Sequence, residues 1–145
     1  MIRLMQETDL DTVAVIEAAC IQQPWSRKSF AESLEKEYSL FLVAEEEEKV
    51  CAYIGLYLTY EDAEITGIAV LSEKRRGGIG KALLQQAVSY AEKKGARRIL
   101  LEVRKSNVSA QAFYKKMGFE EMGIRPNFYD FPKEDAILMQ LQIKE

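Results

Sequence analysis

Three glycines stand within four positions of a basic segment, Lys74-Arg75-Arg76-Gly77-Gly78-Ile79-Gly80-Lys81. Glycine lets a chain turn tightly with no side chain in the way, so several backbone N–H groups can point together at one anion. Arg75, Arg76 and Lys81 add full positive charge, and a helix opening at Ile79 adds the partial charge of its N-terminus. Such a site suits a pyrophosphate; the plainer alternative is a glycine-rich turn with solvated basic side chains. A second candidate is Glu102, a carboxylate inside the apolar run Leu100-Leu101-Glu102-Val103. Charge there is costly unless it is paired or open to water, so Glu102 is expected to line a cleft; an outward-facing residue paired with Lys or Arg is the alternative. A third candidate is the phenol of Tyr114, in a helix expected against the same sheet, which could equally be a core tyrosine with a satisfied hydroxyl. The chain has no histidine, which removes the commonest general base, the commonest metal ligand and every histidine-containing triad. Proton transfer is left to carboxylates, Tyr, Lys, Cys or water, and no metal site is expected.

Two nucleotide motifs fail against the glycine segment. A Walker loop needs Gly-Lys followed by Ser or Thr to hold magnesium, and Lys81 is followed by Ala82. In a dinucleotide fingerprint starting at Gly78 and Gly80, Leu83 stands where the third small residue belongs.

The elements that must position these groups follow from periodicity and punctuation. Ile2 to Met5 reads as a strand, and Thr8 to Asp11 as a capping box opening a helix through Val13, Ile16 and Ala19. Pro24-Trp25-Ser26 breaks it, and Ser26 can cap a second helix to about Lys36. Ser39–Ala44, Val50–Tyr60 and Ala63–Leu71 form a meander, with the acidic run Glu45 to Glu48 read as a solvated hairpin turn. Ile79 to Lys94 carries apolar residues at helical spacing and stops at Gly95. Arg97 to Val103 is a strand covered on both faces, which makes strand, helix, strand a right-handed crossover joining a parallel pair. Asn107 can cap a last helix ending at Gly118, before strands near Phe119–Gly123 and Ala136–Ile143. The expected fold is α+β: a mixed, mostly antiparallel sheet of six to seven strands with about four helices on both faces.

At 145 residues, 48% apolar, one domain spanning 1–145 is expected. A net charge of −3 with no basic half argues against nucleic acid as the ligand. No apolar stretch reaches the roughly 20 residues needed to span a bilayer, and the N-terminal segment lacks signal-peptide character, so a cytoplasmic location with no membrane contact is expected. Cys20 and Cys51, far apart in apolar surroundings, read as buried free thiols.

The segment Arg75-Arg76-Gly77-Gly78-Ile79-Gly80 resembles the coenzyme loop of the GNAT acetyltransferases, and the elements around it follow that family's order across essentially the whole chain. Pro24-Trp25-Ser26, Leu101 to Arg104, Ser106-Asn107 and Arg125 to Tyr129 resemble its RimI-type members, which acetylate the N-terminal alanine of a ribosomal protein; Pro126, Asp130 and Phe131 depart from that pattern. The resemblance implies acetyl-CoA as co-substrate. It implies that the backbone of Ile68, Ala69 and Val70 binds the pantetheine arm, that Arg76 to Lys81 hold the pyrophosphate, and that Asn107 touches the coenzyme. It casts Glu102 as proton acceptor and Tyr114 as proton donor to the leaving thiolate. Trp25, in the bend between the first helices, and Tyr129, in a loop before the last strand, would bracket the acceptor, with Tyr53 and Phe128 nearby; plain packing is the alternative for each. The acceptor implied is a protein or peptide N-terminus, that of a ribosomal protein included, and a monomer is expected. Lysine side chains or small amines as acceptors, and a non-catalytic acyl-CoA-binding module, are the alternatives.

Overall fold

The computed structural model describes residues 1–143; the last two positions of the expected 1–145 domain lie outside the described residues. Strand β1 (Ile2–Leu4) leads through a 3-10 turn into helices α1 (Leu10–Cys20) and α2 (Arg27–Leu34). The meander β2 (Ser39–Glu46), β3 (Lys49–Thr59) and β4 (Asp62–Val70) follows, then helix α3 (Ile79–Lys93), β5 (Arg98–Arg104), helix α4 (Val108–Lys116) and the hairpin β6 (Glu120–Asp130) and β7 (Lys133–Gln142). All seven strands form one sheet in the order β1-β2-β3-β4-β5-β7-β6. Only β4 and β5 run parallel, as the crossover through α3 requires.

Each face of the sheet has its own core. Leu83, Leu84, Ala87 and Ala91 of α3 and Tyr114 of α4 pack on Leu42, Ile54, Ile99 and Met139. Leu10, Val13 and Ile16 of α1 and Phe30 of α2 cover Phe41, Val43 and Tyr53 on the opposite face. The α+β expectation with helices on both faces is met. Caps explain the helix limits: the Ser26 hydroxyl accepts from Ser29 N at 3.1 Å, Asn107 Oδ1 accepts from Ala110 N at 3.1 Å, and Gly95 and Gly118 take the left-handed conformation just past α3 and α4.

Several local readings shift. The first cap sits earlier than Thr8–Asp11: Gln6 N donates to Asp9 Oδ2 at 2.8 Å, because Arg3 already fixes the Asp9 carboxylate. Only Glu47 and Glu48 form the hairpin turn, both at positive φ, while Glu45 and Glu46 stay in β2 and pair with Arg3 and Lys74. Strand β6 runs to Asp130 rather than stopping near Gly123, so Tyr129 lies in a strand and not in a loop. Its register breaks between Arg125 and Tyr129, where Asn127 has φ 55°. Cys51 is buried, but Cys20 is partly exposed and faces a cavity.

Candidate active site

Strands β4 and β5 stay paired for only three residues, Asp62 with Arg98, Ala63 with Ile99 and Glu64 with Leu100. Beyond them β4 continues on β3 and β5 on β7, so from Ile65 and Leu101 onward two strand edges face each other without ladder partners among the described residues. Backbone N–H and C=O groups demand partners, which makes such an opening a place for an extended ligand to insert. A bulge helps to open it: Leu56 pairs with Ile65 and Gly55 with Gly67, leaving Thr66 as the extra residue. The two glycines give it room, since a Cβ on Gly55 would lie 2.3 Å from the Phe41 ring and one on Gly67 2.5 Å from the Tyr53 hydroxyl.

A cavity of about 680 Å³ lies between β4, the glycine loop and α4. Of the residues expected at a coenzyme, Ile68, Ala69, Val70, Arg75, Arg76, Gly78, Ile79, Gly80, Lys81 and Asn107 line it; Gly77 does not. Arg76 and Gly78 adopt φ 69° and 84°, a left-handed bend that costs a non-glycine residue roughly 1–3 kcal/mol and turns the loop into the helix. No side chain caps α3, so the first N–H groups of Ile79, Gly80 and Lys81 are left for a ligand. Arg76 and Lys81 have no ion-pair partner among the described residues, whereas Lys74 is held by Glu46. Arg75 turns back instead, its Nε donating to Val70 O at 3.0 Å and its Nη2 to Cys20 Sγ at 3.4 Å. These donors and charges fit a pyrophosphate, and the unpaired edge of β4 fits an amide-bearing arm. Tyr114 lines the same cavity at 6% exposure, and its hydroxyl has no hydrogen bond among the described residues. Burial holds its pKa above the ordinary phenol value, so it keeps its proton.

A second cavity of about 420 Å³ opens beside the first strand edge, lined by Trp25, Tyr57, Glu64, Ile65, Thr66, Glu102, Phe128 and Tyr129. Glu102, Trp25 and Tyr129 are thus brought together. Tyr53 is not among them: it is buried, and its hydroxyl donates to Glu17 Oε1 at 2.7 Å. Glu102 carries 15% side-chain exposure and an ion pair with Arg125 at 3.4 Å. Burial first, and then the negative charge of Glu64, push its carboxyl above the usual range, against the opposing pull of Arg125. Glu64 and Glu102 share one sheet face because Glu64 is in register with Leu100, two residues before Glu102.

Sequence patterns passed over Glu64, Tyr57 and the contacts that Arg104 makes behind Tyr129. The Arg104 guanidinium lies 4.2 Å from the Tyr129 ring centroid and donates to Pro132 O at 2.9 Å, Phe131 O at 3.3 Å and Glu134 Oε1 at 3.2 Å. Glu134 Oε2 in turn accepts from Ser106 N at 2.6 Å, one residue before the Asn107 cap. The available signs of the bulge were Gly55 and Gly67, each inside an otherwise β-rich run.

A sequence profile of the acetyltransferase (GNAT) family matches residues 10–119. A Bacillus subtilis (strain 168) protein provisionally named a ribosomal protein bS18-alanine N-acetyltransferase is 41% identical over 145 residues, covering 99% of this chain and 96% of its own. The crystal structure of the ribosomal-protein-S18-alanine N-acetyltransferase from Escherichia coli superposes with a TM-score of 0.92 at 35% identity, over 100% of this chain and 94% of that one. Naa20 from Chaetomium thermophilum, crystallised with a bisubstrate analogue, gives a TM-score of 0.87 at 25% identity, over 99% and 86% of the two chains.

Proposed function

The chain belongs to the GNAT family of acetyltransferases, and from that premise we propose that it acetylates the N-terminal α-amine of a protein, with the bS18-like ribosomal protein named for its relatives as the first acceptor to try. Members of this family use acetyl-CoA. The observation that carries the reading is the opened β4 edge with a basic, N–H-rich cavity on one side and an aromatic cavity holding a carboxylate on the other. One suits a diphosphate and the other a cation that must lose a proton.

Acetyl-CoA supplies an acetyl thioester, already activated for attack. Arg76, Gly78, Ile79, Gly80 and Lys81, with Gly77 shaping the bend, would hold its pyrophosphate; Ile68, Ala69 and Val70 would pair with the pantetheine arm, and Asn107 would close the far side. N–H groups around Ala69 and Val70 would polarise the carbonyl. An ammonium has no lone pair to attack with, so the acceptor must be deprotonated. Glu102 accepts that proton, directly or through a water. Its raised pKa brings it nearer the roughly 7.7–8 of an α-amine, of which about a tenth is neutral at pH 7, against under about a thousandth of a lysine side chain. Once the amine nitrogen has bonded to the acetyl carbon and the carbon–sulfur bond has broken, Tyr114 gives its phenolic proton to the thiolate, and the second proton lost by the acylated nitrogen, directly or through water, restores the phenol. The burial that raises Tyr114 keeps the phenol protonated until the thiolate forms beside it. Trp25 and Tyr129 flank the acceptor, and Naa20 held with a bisubstrate analogue agrees with direct transfer between two substrates bound together.

Incubation with acetyl-CoA and peptides of differing first residue, beside free lysine and polyamines, with thiol release followed, tests this. An N-terminal Ala or Ser peptide ahead by about tenfold or more is expected; lysine or a polyamine winning would replace the acceptor, and no release with any amine would remove the catalytic reading.

A further inference from the structure

Glu17 has no part in the chemistry above, yet it is one of the three buried polar or charged side chains among the described residues, 4% exposed near the end of α1. A carboxylate is driven out of water only at a cost, which must be offset by donors. Two meet it. Tyr53 of β3 donates its hydroxyl to Oε1 at 2.7 Å, and the main-chain N–H of Trp25 donates to Oε2 at 3.2 Å. Trp25 lines the acceptor cavity, and the Tyr53 hydroxyl lies against Gly67, beside the bulged Thr66 that lines the same cavity. Around the carboxylate, Phe30 packs edge-on against Tyr53 with centroids 5.3 Å apart and tilted against Trp25 at 5.3 Å.

We infer that Glu17 is a positioning residue for the acceptor: one buried carboxylate ties the α1–α2 bend carrying Trp25 to the Tyr53 phenol that backs the bulged strand, and so fixes the spacing of two cavity walls. The other polar ties between these helices and the strands, Cys20 Sγ to Val70 O at 3.5 Å and the Ser33 and Tyr57 hydroxyls at 2.7 Å, reach neither Trp25 nor Tyr53. Burial and the negative charge of Glu17 hold Tyr53 in its protonated, donating form. The Glu17 carboxylate reaches neither cavity lining, so its effect is on geometry and not on the proton steps.

The inference rests on the second cavity being the acceptor site, and its test must separate the two. Trp25 is the only tryptophan, so its fluorescence reports the bend with no acceptor present. Glu17→Leu keeps the volume and removes both acceptor atoms; Glu17→Gln keeps one, and Tyr53→Phe removes the strand-side bond alone. Expected for Glu17→Leu are a red-shifted Trp25 emission, stronger acrylamide quenching and an acceptor-peptide KM raised about tenfold, with acetyl-CoA Kd by calorimetry changed less than about twofold. Glu17→Gln should recover most of the KM, and Tyr53→Phe should fall between. Unchanged Trp25 emission in these variants, or an equal loss of affinity for both substrates, overturns the inference. If Glu17→Leu fails to fold, the Gln and Phe variants carry the same two readouts. A wild-type protein that acetylates no peptide removes the acceptor reading, while the Trp25 signal still decides whether Glu17 holds the bend.

Discussion

Glu102 sits between two charges of opposite sign, and that placement sets a pH dependence whose direction can be worked out. Its pKa is raised by burial and by Glu64 and opposed by Arg125, and the carboxylate is a base only when ionised, so kcat/KM should climb as pH rises through its pKa. Arg125→Met removes the opposing cation and should move that limb to higher pH; Glu64→Gln removes the like charge and should move it to lower pH. Glu102→Gln should cost about a hundredfold and leave only the limb of the acceptor amine near pH 8. A profile unmoved by all three substitutions would take Glu102 out of the mechanism. Tyr114→Phe keeps the ring contacts to Phe113 and Phe119 and deletes the donor, so turnover should fall by roughly tenfold to a thousandfold with acetyl-CoA affinity nearly unchanged. An unchanged rate in single-turnover kinetics would remove that role. Glu102 could be picked out of the sequence because a lone carboxylate in an apolar strand is an anomaly. Glu64 and Arg125 could not, since they reach it only through strand register across the sheet.

At the level of elements, the gap between β4 and β5 depends on what the bulge can accommodate. Gly67→Ala would press a methyl into the Tyr53 hydroxyl 2.5 Å away, and we expect a loss of about 1–3 kcal/mol in chemical denaturation. Combined with Tyr53→Phe, which removes the obstructing oxygen, the loss should shrink; strictly additive losses would mean that the crowding lies elsewhere. Helices and meander were legible, because α3 has clear periodicity with glycine beyond its end and α2 and α4 open on Ser26 and Asn107. The β6 hairpin was not. Pro126 and a left-handed Asn127 read locally as a loop, and only pairing with β7 carries the strand past them to Tyr129. The turn between β2 and β3 was read within Glu45 to Glu48, but its narrowing to Glu47 and Glu48 was not, since glutamates at positive φ lack the Asn-Gly signature that marks such turns.

For the molecule as a whole, a chain of net charge −3 concentrates uncompensated positive charge at the mouth of one cavity, where Arg76 and Lys81 flank the uncapped end of α3. Acetyl-CoA at about a hundred times its Kd should therefore raise the thermal midpoint by roughly 5–10 °C, following a gain of about 2.7 kcal/mol. Arg76→Ala with Lys81→Ala should shrink that rise at fixed ligand concentration, and an unchanged melting curve for the wild type would deny the cavity its ligand. Among the described residues no helix is long and apolar enough to cross a membrane. The bridge from Ser106 through Glu134 and Arg104 to Tyr129 joins the cap of α4, on one substrate's side, to the hairpin on the other's. Linkage makes any such connection reciprocal: if filling the first cavity steadies the hairpin, a dead-end peptide in the second must tighten coenzyme binding by the same factor. Titrating each ligand with and without the other measures that factor, and a ratio of one would reduce the bridge to scaffolding. A ratio above one would make the two half-filled states scarce, so that a thioester rarely waits in the cleft for water to spend it.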